Sequence, residues 1–264
     1  MGEYISYQNI IDQIDDIQKG DIVYLVSDIL ELSVVTKENG EKFDRNLFID
    51  TLLRKVGPEG TVLIPTFNWG FCRGELFDIR KTVSRTGALG NAAIRRDDFK
   101  RTKHPIYSFM VWGKDQKKLT DMDPKDGFGP GTIFEYMHRE KAKALVVGLH
   151  TMAGLTFCHY VEQMVGVPYR YLKDFTAKYI DEQGNSSVKT YSMYVRDLEM
   201  DPRYIDEFRP LGNILEALNV SVNYDFNGIE FHVVDLETMY KVEEIDILCN
   251  DSRNMYVYNH IQKQ

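Results

Sequence analysis

The sequence predicts an α/β fold of three layers, a mixed and largely parallel central sheet flanked by helices, with a smaller lobe that contains a β-hairpin. Three observations lead there. Apolar runs at 22–26, 61–65 and 144–149 read as buried strands, helical periodicities lie between them, and the second half of the chain turns to β-branched and aromatic segments broken by hairpin turns. With 264 residues and 43% hydrophobic content, the chain can bury a sizeable core.

Ile10, Ile11, Ile14 and Ile17 recur at helical spacing over 8–18, and Gly20 stops that helix before the strand Ile22-Val23-Tyr24-Leu25-Val26. Phe43, Leu47, Phe48, Leu52 and Val56 mark one face of a second helix, which ends at Gly57-Pro58 ahead of the strand Thr61-Val62-Leu63-Ile64-Pro65. Strand, helix, strand at that spacing is a crossover unit, and a crossover places its two strands parallel. Residues 66–86 form an aromatic, irregular loop after a strand end, the place where α/β proteins bind ligands. A helix over 87–94, a strand over 107–112, a helix over 133–138 and the strand at 144–149 complete this half.

Beyond it, 167–180 and 188–195 read as a hairpin around Asp181-Glu182-Gln183-Gly184-Asn185. A helix near 204–218 then precedes a second hairpin with Asn227-Gly228 at its turn. Residues 1–166 are the expected core, and 167–264 supply the lobe, placed near 167–235, and the C-terminal closure of the same domain.

The formal charge of −8 repels a polyanion, so nucleic acid is a poor partner. The basic run Arg95-Arg96, Lys100-Arg101 and Lys103 suits a phosphorylated cofactor better. The N-terminus carries Glu3 and lacks a basic segment before an apolar run, so it does not read as a signal peptide, and no apolar run reaches the ~20 residues of a membrane span. Cys72, Cys158 and Cys249 are odd in number and far apart, which gives no disulfide framework and points to a reducing cytoplasm. His138, His150, His232 and His260 share no ligand spacing, so no metal is expected.

The chemistry concentrates in Thr156-Phe157-Cys158-His159-Tyr160-Val161-Glu162. On a helix, residues three apart share a face, so a hydroxyl, an imidazole and a carboxylate line up while Cys158 points elsewhere. That set suits amine acylation. An amine with a pKa of about 8 is mostly protonated near neutral pH and has no lone pair to attack with. A histidine can remove the proton, a carboxylate on its other nitrogen fixes the tautomer, and a hydroxyl can donate to a developing oxyanion. The same His–Glu spacing also occurs on helix faces that merely meet solvent, and spacing alone leaves both readings open.

The segment resembles the Thr-x-x-His-x-x-Glu motif of the aminoglycoside 3-N-acetyltransferase family. In the same order, Gly57-Pro58-Glu59-Gly60-Thr61 with Leu63 and Pro65-Thr66 is similar to that family's Gly-Pro-x-Gly-Thr-x-x-x-Pro-Thr strand. Thr86-Gly87 with Leu89-Gly90, Arg101-Thr102 with His104-Pro105, Ser108 and Gly113, and Gly129-Pro130 resemble its central landmarks, over roughly 20–166. The resemblance implies acetyl-CoA or another acyl-CoA as co-substrate, no metal, and direct attack by the amine. It implies His159 as general base, Glu162 as its orienting partner and Thr156 as a contact to the reacting carbonyl. It also makes 1–166 the acyl-CoA-binding and catalytic part and 167–264 the acceptor side.

Where the family carries His-Ser-Ser after the first strand, this chain has Val26-Ser27-Asp28; only Ser27 transfers as a cofactor contact, and Asp28 can instead face the acceptor. His104 and Arg101, with Lys103, either hold cofactor phosphates or serve structure and surface. Gly87 and Gly90 fit a tight turn into a helix better than a phosphate cradle. Asn68 and Trp69, with Phe67 and Phe71, either wall a sugar pocket or join the core. Tyr169-Arg170-Tyr171-Leu172-Lys173-Asp174-Phe175 and Tyr191-Ser192-Met193-Tyr194-Val195-Arg196-Asp197 resemble a branch that acylates amino-deoxy sugars on nucleotide carriers for surface polysaccharide. The acceptor expected first is therefore a nucleotide-linked amino sugar, and second a polycationic aminoglycoside. The lobe holds both bases (Lys173, Lys178, Lys189, Arg196, Arg203) and acids (Asp181, Asp197, Glu199), so counting does not choose. A silent binding module of the same fold and a hydrolase using Cys158 are the rival classes; a homo-oligomer, the acyl chain length and the amine acylated are left open.

Overall fold

The computed structural model describes residues 3–198, 204–206 and 208–258; Glu199, Arg203 and His260 lie outside the described residues. The strands are β1 (Ile22–Ser27), β2 (Thr61–Pro65), β3 (Phe77–Asp78), β4 (Lys100–Arg101), β5 (Phe109–Gly113), β6 (Lys143–Val147), β7 (Arg170–Ile180), β8 (Ser186–Arg196), β9 (Tyr204–Asp206), β10 (Ser221–Phe226), β11 (Ile229–Asp235) and β12 (Tyr256–Tyr258). The α-helices are α1 (Tyr7–Ile10), α2 (Leu30–Glu38), α3 (Arg45–Val56), α4 (Ala88–Ala93), α5 (Gln116–Asp121), α6 (Ile133–Arg139), α7 (Cys158–Val165), α8 (Arg209–Ala217) and α9 (Leu236–Asn250).

Among the described residues the central sheet has seven strands in the order β10-β11-β6-β1-β2-β5-β4. β1 pairs parallel with β2 and β6, as the crossover requires, and the remaining pairs are antiparallel, so parallel pairing is confined to the centre. Side chains alternate across the sheet. Val23, Leu25, Val62 and Leu145 meet Phe48, Leu52 and Leu89 of α3 and α4, while Tyr24, Val26, Leu63 and Val146 meet Phe134, Val161 and Met239 of α6, α7 and α9. Two apolar layers result, one on each face, and each fully buried Phe or Leu contributes roughly 1.5–3 kcal/mol.

The first helix is shorter than its spacing predicts. It ends at Ile10 and passes into a 3₁₀ turn over Ile11–Gln13, yet Ile10, Ile11, Ile14 and Ile17 are all 0% exposed. Four residues of helix do not persist alone, so burial of these isoleucines holds the segment.

The lobe is also smaller than expected. β7 and β8 pair antiparallel and take β3 alongside to make a separate three-stranded sheet. The second hairpin, β10–β11, belongs instead to the central sheet, where β11 lies against the edge of β6 and buries Phe231 and Val234 completely. That burial is what places it in the core. Within 204–218, β9 pairs with β12 and only Arg209–Ala217 is helical.

The parallel centre sets the site. At the carboxyl ends of β1 and β6 the Asp28 amide donates to Val147 O at 2.9 Å, and Gly148, at φ 65°, lies so close to the Asp28 carbonyl that no side chain would fit. The chain then turns through 149–157 into α7, against the end of β1.

Candidate active site

α7 begins at Cys158 and not at Thr156, and ends on Gly166 in the left-handed region. Thr156 sits in the turn before it, where its carbonyl accepts from the His159 amide at 3.1 Å. Its hydroxyl is 3.5 Å from Gly154 O, a long contact, and lies beside the buried Tyr24 hydroxyl.

His159 and Glu162 meet as their spacing predicts. Nδ1 of His159 lies 2.7 Å from Oε2 of Glu162, with the histidine side chain 23% exposed and the glutamate 0%. No described residue bonds Nε2 of His159. An imidazole whose Nδ1–H donates to the carboxylate keeps a lone pair on Nε2 that these contacts do not use. Phe128 closes edge-on against the ring with centroids 5.7 Å apart. Cys158 does not diverge as expected from helical geometry: its Sγ is 3.5 Å from the same Nδ1, although the thiol is buried and the carboxylate is the nearer partner.

Glu162 has further partners that the sequence did not single out. Arg170 Nε, at the start of β7, is 2.7 Å from Oε2, an ion pair whose N–H direction falls outside hydrogen-bond geometry. The Tyr256 hydroxyl donates to Oε1, and Arg170 Nη2 donates to that hydroxyl at 3.2 Å. Burial is the largest influence on the Glu162 carboxyl and pushes it up; His159, Arg170 and Tyr256 together outweigh it and hold it below the ordinary glutamate value.

The other nominated residues are distributed differently. Arg101 was a candidate for cofactor phosphate, but its guanidinium is 6% exposed and donates to Ser108 Oγ at 3.0 Å, Thr66 O at 2.9 Å and Thr82 O at 2.5 Å. It staples the 66–86 loop to β5, and its hydrogen bonds are used up by the chain. His104 is likewise internal: Nδ1 accepts from the Tyr107 amide at 3.1 Å, burial pushes its pKa down to about 4, and its Nε2 is buried without a hydrogen-bond partner. Asn68 is 7% exposed and spends both ends on the loop, on Val83 O and the Gly70 amide. Phe67 and Phe71 are core, and Trp69 is partly buried against it. Gly90 serves close approach, since a Cβ there would stand 2.6 Å from Pro65 O.

Ser27 and Asp28 do face open space. They line a cleft of about 540 Å³ with Ile29, Leu30, Thr86 and Gly87 at the carboxyl end of β1. Asp28 Oδ1 also accepts from the Leu30 amide at 3.0 Å at the start of α2. Phe43 and Arg45 line this cleft and an adjoining one of about 290 Å³ that adds Asn46, Arg95 and Arg96. Arg96 is held by Asp50 and Asp98 at 2.7 and 2.8 Å. Arg45 and Arg95 are exposed, and no ion pair engages them among the described residues. Asp28 lines the first cleft and Asp44 the second, so the groove carries both signs of charge.

The family model for aminoglycoside 3-N-acetyltransferase matches residues 31–244. The chain belongs to that family. This acetyltransferase-family chain is an acyl-CoA-dependent N-acyltransferase, with acetyl-CoA or another acyl-CoA as co-substrate. Among solved structures it is similar to aminoglycoside acetyltransferase AAC(3)-Xa, at 19% identity over 92% of each chain with a TM-score of 0.76. AAC-IIIb in its binary complex with CoASH gives 16% identity, 92% of this chain, 96% of that one and a TM-score of 0.74. YokD from Bacillus subtilis gives 20%, 97% of each chain and 0.74. At these identities the likeness shows the fold. A search of curated proteins finds no match. Among the described residues, no helix of this acetyltransferase-family chain is long and apolar enough to cross a membrane, and no three His, Cys, Asp or Glu gather as a metal-holding group.

Proposed function

We propose that the chain transfers an acyl group from an acyl-CoA to the amine of an amino sugar by direct attack, with His159 as general base. The observation that carries this is the 2.7 Å contact between His159 Nδ1 and the fully buried Glu162, which leaves Nε2 of the 23%-exposed side chain unused. The amine nitrogen forms a bond to the thioester carbonyl carbon as Nε2 takes an N–H proton, and Thr156 Oγ donates to the oxyanion. The C–S bond then breaks, and the imidazolium returns the proton to the departing thiolate.

For the co-substrate, the cleft at Ser27 and Gly87 suits a pantetheine arm and Arg45 with Arg95 suits its phosphates, in place of Arg101 and His104. The core thus binds acyl-CoA, and the β7–β8 lobe faces the acceptor. The acceptor proposed first is a nucleotide-linked amino-deoxy sugar of surface-polysaccharide synthesis. In favour of it, three carboxylates around the lobe are matched by bases, Asp123 by Lys189 at 2.9 Å, Asp174 by Lys125 at 2.6 Å and Glu162 by Arg170. The family description favours a second acceptor, an aminoglycoside.

The test is thiol release from acetyl-CoA and longer acyl-CoAs, offered nucleotide-linked amino sugars and aminoglycosides in turn. Release that depends on a nucleotide-linked amino sugar is expected. Turnover confined to aminoglycosides reverses the acceptor, release without any amine points to hydrolysis, and binding without release points to a silent module.

A further inference from the structure

We propose that Arg170, carried on the lobe hairpin, is a positioning residue that offsets the charge of the buried Glu162 and so sets how that carboxylate acts on His159, the base for the acceptor amine. This rests on the reading of His159 as the base. A buried carboxylate one bond away from an imidazole has two opposed effects. It orients the ring and fixes the tautomer, but its uncompensated negative field also holds the ring in its protonated form, which cannot act as a base. A cation on the same carboxylate keeps the first effect and removes the second.

The surroundings of Glu162 make Arg170 that cation. On its own helix stand His159 and Cys158, and the next residue, Gln163, donates to Asp126 at 2.5 Å. From β7 comes Arg170, 8% exposed and 2.7 Å away. From β12 comes the Tyr256 hydroxyl, with Tyr169 ring to ring against Tyr256 at 5.5 Å, and from β8 the Tyr194 ring, whose hydroxyl donates to Val167 O. From α9 come Glu243 and Asp246. Glu243 is 0% exposed with neither carboxyl oxygen partnered, and burial, then Glu162 and Asp246, push its carboxyl well above the ordinary range. Asp246 accepts from Asn250 and Asn254 at 2.7 and 2.6 Å. Arg170 is the fixed positive charge in contact with Glu162, and Arg196, its pair on β8, stands over the Tyr256 ring at 5.9 Å. The Arg170 guanidinium is tied to two strands, through Tyr194 O at 3.4 Å and the Tyr256 hydroxyl at 3.2 Å, which fixes it at the carboxylate.

The experiment compares Arg170→Met, Arg170→Lys and the unaltered enzyme in two ways. One is the pH profile of kcat/KM for amine-dependent thiol release; the other is an NMR titration of the His159 ring in the protein without substrates. Arg170→Met is expected to lose about tenfold at pH 7 and to recover to within about threefold at pH 9, since one pH unit is a factor of ten in free base. Its His159 titration moves to higher pH, and Arg170→Lys, which keeps the charge, brings both curves back. Equal loss at every pH with an unmoved ring titration gives Arg170 a structural role only and overturns the proposal. Should Arg170→Met fail to fold, Tyr256→Phe keeps the ring, removes one donor from Glu162, and is expected to shift both curves the same way by a smaller amount; no shift overturns it. The ring titration does not depend on acyl transfer. A moved titration in a protein whose His159→Ala variant turns over normally would sink the base role while leaving the charge balance standing.

Discussion

Two polar segments lie at the ends of the two strands that flank β1, the 66–86 loop after β2 and the turn into α7 after β6, and both look equally suited to binding or chemistry. They use their polar groups in opposite ways. In the loop, Asn68 and the Arg101 that anchors it donate to main-chain carbonyls and stay buried. At α7, His159 Nε2 is left over after the local bonds are made, and the Thr156 hydroxyl has only a long contact to Gly154 O beside the Tyr24 hydroxyl. A buried polar group must be satisfied by the chain, whereas a half-exposed one with a spare lone pair can be satisfied by a substrate. What separates structural from functional polarity here is the unused valence and not the residue type.

The comparison is broken first where the two uses coincide, at Glu162. Glu162→Ala strands the buried Arg170 charge, and chemical denaturation is expected to find the protein less stable by about 3–5 kcal/mol; a cost below 1 kcal/mol would mean that the pair is not buried in solution. His104 tests the structural side. Its folded pKa of about 4 lies below the ordinary ~6.5, so as pH falls the unfolded chain takes the proton first. Stability is fully present above pH ~6.5 and declines toward pH ~4, by about 3 kcal/mol from this group. His104→Gln should flatten that part of the stability profile; an unchanged slope would place the acid sensitivity elsewhere. The smallest effect is expected at Cys158. Its thiol touches the ring, but direct attack gives it no bond to make, so Cys158→Ala should keep turnover within about threefold. Loss of turnover in a folded variant would favour a thiol nucleophile.

Much of the fold was legible. The alternating apolar runs fix β1, β2 and β6, Asn227-Gly228 marks its hairpin, and the crossover dictates the parallel centre. α9 was not legible, because it buries Glu243 and Asp246 beside Leu236 and Met239 and so lacks a clean polar face. The second hairpin reads the same in a lobe or at a sheet edge, and only the free edge of β6 decides. In the site, His159 and Glu162 announce themselves by being three apart on a helix. Tyr256 is 94 residues from Glu162, and Arg170 arrives from a strand, so no local period connects either of them to the carboxylate. Arg101 and His104 misled because a basic run near a strand reads alike whether its donors go to phosphate or to main-chain carbonyls.

The most direct measurement is amine-dependent thiol release by His159→Ala, with folding checked by circular dichroism and thermal melting. Turnover should fall by roughly 10²–10⁴ while the fold is kept. Release at the unaltered rate from a folded His159→Ala protein would contradict the role given to this imidazole.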